Sequence, residues 1–163
     1  MKRRWYLIGT AGLFGADQIL KAWTEQKLDK EEERRTAGPV VLRRVNNKGI
    51  CLGLLSGQPE AVRILSLAAS GAVSLSYAAA LISGRRIRKA GLCMAAAGAW
   101  SNTADRFVRG YVVDYVGFDM KNHPKLAALT YNLGDFLIAA GGVLVSLDQV
   151  RSQFALHRYS RQK

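Results

Sequence analysis

A chain of 163 residues has the length of one domain, and its hydrophobic residues (49%) are gathered into long runs that leave little for a soluble core. The net charge of +12 does not point to nucleic acid, because no zinc-finger spacing, RNA-binding aromatic motif or soluble basic domain goes with it. Two cysteines and two histidines, all far apart, indicate neither a disulfide framework nor a zinc site, so Cys51 and Cys93 read as small packing residues.

The first apolar run, about residues 5–23, follows Lys2, Arg3 and Arg4. Its beginning has the pattern of a secretory signal. It continues to Trp23, however, and three further apolar runs follow, so it reads as a membrane helix. Within it, ADQILKAW sets Asp17 and Lys21 four apart, on one helical face, where they can pair. Near the outer end, Lys21 either snorkels to the interface or joins Asp17 in bracing polar groups of another helix.

The next link, residues 24–60, has two characters. Its charged first half, TEQKLDKEEERR, reads as a solvated surface helix. Its second half, PVVLRRVNNKGICLGLL, mixes β-branched residues with Gly49 and Gly53 and reads as short strands and turns at the membrane surface. Pro59 then opens the second apolar run, residues 61–83, near a first helical turn.

Arg85, Arg86, Arg88 and Lys89 link it to the third run, residues 90–107, where GAWSNTADRF places Asn102, Asp105 and Arg106 on one face, with Arg106 beside Asp105. In VRGYVVDYVGF, Gly110 suggests a turn and the valines an extended segment, with Asp114 desolvated among them and its pKa raised. The fourth run, residues 126–150, carries Asn132 and Asp135 three apart inside an apolar helix, and Arg151, Arg158, Arg161 and Lys163 follow it.

A run of about 20 apolar residues crosses a bilayer as a helix, and the third run does so if SNTADRF continues it. Basic clusters beside spans favour the cytoplasmic face, which puts both termini inside. The outer segments hold eleven Lys and Arg as well, at lower density and with acids among them. The expected fold is an all-α membrane protein of one domain, with four transmembrane helices and a small extracytoplasmic β-like cradle between the first two.

Under that topology the polar patches gather at the outer ends of the helices. Charged residues cost about 2.5–3.5 kcal/mol each at the centre of a span, so a shared polar site accounts for them better than scattered contacts do. No Ser–His or Cys–His pair is visible, and nothing supports Ser101 as a nucleophile activated by Lys21. The site does hold several carboxylates, and two close together tend to share one proton, so that one serves as base and the other as acid. That is aspartyl protease chemistry. Spacing leaves Asp17, Asp105, Asp114 and Asp135 open for the pair. Asp114 and Asp135 have no cation beside them in the sequence, which favours them modestly.

These residues resemble the lipoprotein signal peptidases, or signal peptidase II, small four-helix membrane proteases of bacteria. ADQILKAW, NNKGICLG, GAWSNTADRFVRGYVVDY and YNLGDFLI are similar, in order, to the family's motifs. The resemblance implies that Asp114 and Asp135 form the catalytic dyad. It implies that Asn47, Gly49, Asn102, Arg106 and Asn132 line the site, and that Asp17, Lys21 and Asp105 support it. It implies cleavage of prolipoproteins before a diacylglyceryl cysteine, in the cytoplasmic membrane near the outer leaflet, with membrane lipid as neighbour. No cofactor, metal or nucleic acid is implied, and a monomer suffices. The sequence departs from the family pattern at Ile50, Cys51 and Leu52, where substrate preference is affected, and at Ser101, Tyr115, Tyr131 and Gly134. A proton-coupled transporter would also carry intramembrane acids, but its polar residues would run through both halves of the bundle. An inactive lipopeptide binder differs only in activity.

Overall fold

The computed structural model describes residues 2–30, 32–36, 38–50, 54–120, 123 and 127–160, with 156 and 158–160 described by their backbone alone. Its helices are α1 (Arg3–Lys27), α2 (Pro59–Ser83), α3 (Arg86–Val108) and α4 (Leu133–Ser160). Its strands are β1 (Glu33–Arg35), β2 (Val40–Asn47), β3 (Val112–Phe118) and β4 (Thr130–Tyr131), in one antiparallel sheet of order β1-β2-β3-β4.

Local chemistry explains the ends. Pro59 occupies the first turn of α2 with Glu60 beside it, where a missing N–H costs nothing and an acid suits the helix dipole. Lys27 closes α1, again with the favourable sign. α1 thus runs four residues past Trp23, and the charged segment after it is a helix end followed by β1, not a separate surface helix. The cradle also differs from expectation. It draws β1 and β2 from the link after α1, but β3 and β4 from the segment after α3.

The largest correction concerns α4. Leu126 lies outside the described residues, and Thr130–Tyr131 is strand, so the helix begins at Leu133. Asn132 and Asp135 are therefore at its N-terminus rather than inside it. The Asp135 N–H donates to Asn132 Oδ1 at 2.9 Å, and the Asn132 N–H donates to Asp135 Oδ2 at 3.0 Å. This reciprocal capping box satisfies two backbone donors that a helix start otherwise leaves orphaned.

Helices α3 and α4 approach most closely through glycine. A Cβ on Gly91 would lie 2.8 Å from the Gly141 carbonyl oxygen, and one on Gly98 would strike the Gly134 carbonyl. These contacts sit seven residues apart on each antiparallel helix, and small residues of this kind let helix backbones meet in lipid. They set Asn102, one turn beyond Gly98, against Asp135, next to Gly134. Gly98→Ala is expected to lower stability in detergent by about 1–3 kcal/mol, the usual cost of overpacking, and to lower activity as well. Gly12, which has nothing within 4 Å of its Cβ position, is the control. Equal melting temperatures for Gly98→Ala and Gly12→Ala would refute this packing.

The helices divide into a dry half and a polar half. Tyr6, Tyr77, Ala80, Leu92, Cys93 and Ala96 pack together in one. Cys93 donates from Sγ to the Tyr6 carbonyl at 3.4 Å; Cys51 lies outside the described residues. Asp17, Lys21, Thr24, Ser101, Asp105 and Asn132 are fully buried in the other. Large apolar side chains such as Ile19, Ile64, Leu75, Ile82 and Phe154 point outward, a surface suited to lipid rather than water. Two helices, Pro59–Ser83 and Leu133–Ala155, are long and apolar enough by themselves to cross a membrane.

Candidate active site

The sheet delivers the first carboxylate. In β2–β3, Leu42 pairs with Val116 but Val45 pairs with Asp114, so β2 carries one extra residue. A one-residue bulge exchanges the two faces of a strand beyond it. Had pairing continued evenly, Asn46 would share a face with Asp114. The bulge puts Val45 and Asn47 there instead, beside Val112 and Asp114. Asn47 Nδ2 then donates to Asp114 Oδ2 at 3.0 Å.

The second carboxylate comes from the α4 cap. Asp135 Oδ1 accepts from Asn102 Nδ2 of α3 at 2.8 Å. Asn132 joins the two halves. Its Nδ2 donates to Asp114 Oδ1 at 2.6 Å, while its own N–H holds Asp135 Oδ2. Each of the four carboxylate oxygens thus accepts one neutral amide donor. Among the described residues neither Asp114 nor Asp135 forms an ion pair.

Each amide is oriented by a donor on its oxygen. Asn47 Oδ1 accepts the Gly49 N–H at 3.0 Å, Asn132 Oδ1 accepts the Asp135 N–H, and Asn102 Oδ1 accepts Lys21 Nζ at 2.8 Å. With the oxygens committed, the NH2 groups face the carboxylates.

Asp114 is 2% exposed. Burial pushes its carboxyl up to about 7; the nearby charge of Asp135 adds to this, and the Asn47 and Asn132 donors oppose it. Burial also raises the Tyr115 phenol, with the Asp17 charge next in effect.

Asp114, Asp135, Asn47, Asn102 and Arg106 line one cavity of about 710 Å³. Its other walls include Val45, Val112, Leu129, Tyr131 and Ile138. Gly49 and Asn132 stand behind this lining. The Gly49 carbonyl accepts from Arg106 Nη2 at 3.0 Å, which fixes the turn after β2. Cys51 and Leu52, next to Ile50, lie outside the described residues.

Behind Asn102 lies the supporting network. Lys21 is fully buried and bonds Asp17 at 2.9 Å and Asp105 at 3.1 Å. It therefore braces another helix rather than snorkelling. Asp105 takes Arg109 at 2.5 Å as its second cation, not Arg106, which points towards Gly49. Arg109 and Gln18 belong to this network and were missed in the sequence; the spacing of four from Asp105 to Arg109 was the available signal.

Three departures from the family pattern meet around Asp17. The Ser101 hydroxyl donates to Asp17 Oδ2 at 2.5 Å. Tyr115 Oη donates to Asp17 Oδ1 at 3.1 Å and accepts the Leu133 N–H at 3.0 Å, another orphan donor of α4. A Cβ at Gly134 would lie 3.0 Å from Asp17 Oδ2 and 2.9 Å from Asn132 Oδ1. Lys21 Nζ does reach Ser101 Oγ at 3.2 Å, but Ser101 is fully buried, lies outside the cavity lining and donates its hydroxyl to Asp17, which gives it a place in the supporting network.

Comparison with known proteins places the chain in one family. Residues 10–151 match the family described as Signal peptidase (SPase) II. The chain is 35% identical to a lipoprotein signal peptidase of Gloeothece citriformis, over 84% of this chain and 88% of that one. It is 36% identical to a lipoprotein signal peptidase of Anaeromyxobacter sp. over 107 residues, spanning about half of that protein's length (51%) and 63% of its own. A solved bacterial membrane enzyme superposes with a TM-score of 0.77 at 17% identity, covering 91% of this chain and 88% of that one, and so shares the fold.

Proposed function

Because the chain belongs to the signal peptidase II family, we propose that Asp114 and Asp135 are the catalytic pair of an aspartic endopeptidase that removes signal peptides from diacylglyceryl-modified prolipoproteins. The observation that carries this is the pair itself. Two carboxylates from separate elements face one cavity, and each is held by neutral amides rather than by a cation. Uncharged donors orient the carboxylates without forcing both to ionise, so one proton stays between them. The ionised carboxylate takes a proton from water as its oxygen attacks the peptide carbonyl carbon. The protonated one gives its proton to the carbonyl oxygen. When the tetrahedral intermediate collapses, the C–N bond breaks and the amine of the lipidated cysteine leaves with a proton.

All four helices span the membrane in this reading. At about 1.5 Å per residue, α1 and α3 are long enough. Their charges are either neutralised internally, as with Asp17, Lys21 and Asp105, or sit at helix ends, as with Arg3, Arg4, Arg86 and Arg88. The basic clusters support an orientation with both termini in the cytoplasm and the dyad, with its sheet, near the outer leaflet. The apolar cavity walls at Val45, Val112, Leu129 and Ile138 suit a signal peptide and acyl chains beside the polar floor. One copy of the chain supplies every group the reaction uses.

The direct experiment is cleavage in detergent by the purified full chain, with the product N-terminus read by mass spectrometry. The diacylglyceryl precursor should be cut immediately before its cysteine. An intact precursor after prolonged incubation, or a cut elsewhere, overturns the reading.

The shared proton also sets a pH dependence. The active pair holds one proton, so kcat/KM is expected to fall as pH rises through about 7, where Asp114 loses it. The Asn47 donor favours ionised Asp114. Asn47→Leu should therefore raise the carboxyl further and move the alkaline limb to higher pH. A limb that moves to lower pH, or a profile flat from about 6 to 9, contradicts the assignment.

A further inference from the structure

On the face of the sheet away from Asp114, one arginine has no part in the hydrolysis. Arg43 is in the β2 bulge, and only 17% of its side chain is exposed. It reaches across β3 to the segment that precedes α4. Its Nε donates to the Thr130 hydroxyl at 2.7 Å. Its Nη2 donates to the carbonyls of Ala127 at 2.6 Å and Leu129 at 2.7 Å. Its Nη1 pairs with Glu33 at 3.3 Å. A planar guanidinium can meet several acceptors at fixed angles, which a lysine cannot. The trough it lies in exists because residue 117 is glycine. A Cβ there would sit 2.8 Å from Nε and 2.9 Å from Cζ and Nη2 of Arg43.

The segment held in this way is a wall of the active-site cavity, which Ala128, Leu129, Thr130 and Tyr131 line. Tyr131 pairs with Val116, on the Asp114 face, whereas Thr130 pairs with Gly117, on the Arg43 face. The arginine thus grips the back of a segment whose front meets the cavity.

We propose that Arg43 is a specificity-determining residue of this peptidase. It is a positioning residue, acting through residues 127–131, which it fixes as one wall of the groove that receives the substrate polypeptide. This rests on the peptidase reading above. Since Arg43 bonds neither carboxylate nor any of the three asparagines, it governs which side chains fit and how tightly, and leaves the chemical step alone.

The test uses the purified full chain and two diacylglyceryl prolipoproteins that differ only in a small or a bulky residue next to the cleaved bond. Arg43→Gln is expected to raise KM about tenfold for the preferred substrate, keep kcat within about twofold, and reduce the discrimination between the two. Gly117→Ala should do the same by displacing the guanidinium, without altering Arg43. Arg43→Lys, which keeps the charge but loses the fork, should not restore KM. Unchanged KM and discrimination in folded Arg43→Gln overturn the proposal. So does a fall in kcat that tracks a fall in melting temperature, the mark of a merely structural role. If the unaltered chain cuts neither precursor, the peptidase reading has failed instead. Hydrogen exchange at 128–131 then tests the grip alone: faster exchange in Arg43→Gln supports it, and unchanged exchange overturns it.

Discussion

Asp114→Asn and Asp135→Asn are each expected to lower kcat by about three to four orders of magnitude, the upper range for a positioned acid or base. The substitution keeps the shape of the side chain and removes its chemistry. An amide has one acceptor oxygen where the carboxylate has two. At position 114 the new NH2 group would face the NH2 of Asn47 or of Asn132, donor against donor. The variant therefore cannot hold the shared proton, and it disturbs the partner's cap through Asn132 as well. Asp105→Asn is the instructive comparison. It weakens the links to Lys21 and Arg109 but leaves both members of the pair. Its melting temperature should fall further than that of either dyad variant, and its kcat much less. Full activity in Asp114→Asn or Asp135→Asn removes the assignment.

Lys21→Met should have the largest effect on stability, a loss of about 3–5 kcal/mol, because removing one partner leaves buried carboxylates without their cation. Lys21 is fully buried and holds Asp17 and Asp105 together. Asp105 keeps Arg109, but Asp17 would keep only the hydroxyls of Ser101 and Tyr115. The second variant, Asp17→Asn with Lys21→Met, removes the stranded charge and should recover part of the loss. Thermal unfolding of both single variants and the double variant gives the coupling. Melting of Lys21→Met within a degree of the unaltered chain would contradict this role. Activity should fall too, because Lys21 orients Asn102 and Asn102 holds Asp135.

Much of this arrangement is legible in the sequence, for physical reasons. Apolar runs place α1, α2 and α3 to within four residues at each end. The cost of acids beside lipid singles out the polar patches, and the valines around Asp114 announce a strand. The start of α4 was not legible from hydropathy, since LAALTYNLGDFL is apolar on both sides of the true boundary. The readable signal was Asn132 followed three residues later by Asp135, a cap pattern that puts the helix start at Leu133. Arg109 lies just past the end of α3 at Val108, and only its spacing of four from Asp105 marks it as that acid's partner. The β2 bulge, the small-residue contacts of α3 with α4 and the reach of Arg43 depend on residues far apart in the chain, and no local pattern encodes them.

The cap on α4 has a consequence for biogenesis. One oxygen of Asp135 closes the first turn of the helix that carries it, and the amide of Asn132 spans from that turn to Asp114. If Asp114 and Asp135 are the catalytic pair, a chain whose fourth helix is still unwound at its start lacks it, because the atoms that begin the helix are the atoms that hold the acid. α4 emerges after α1, α2 and α3 have been made. On the proposed assignment, the pair is therefore complete only once the start of that helix has wound into place.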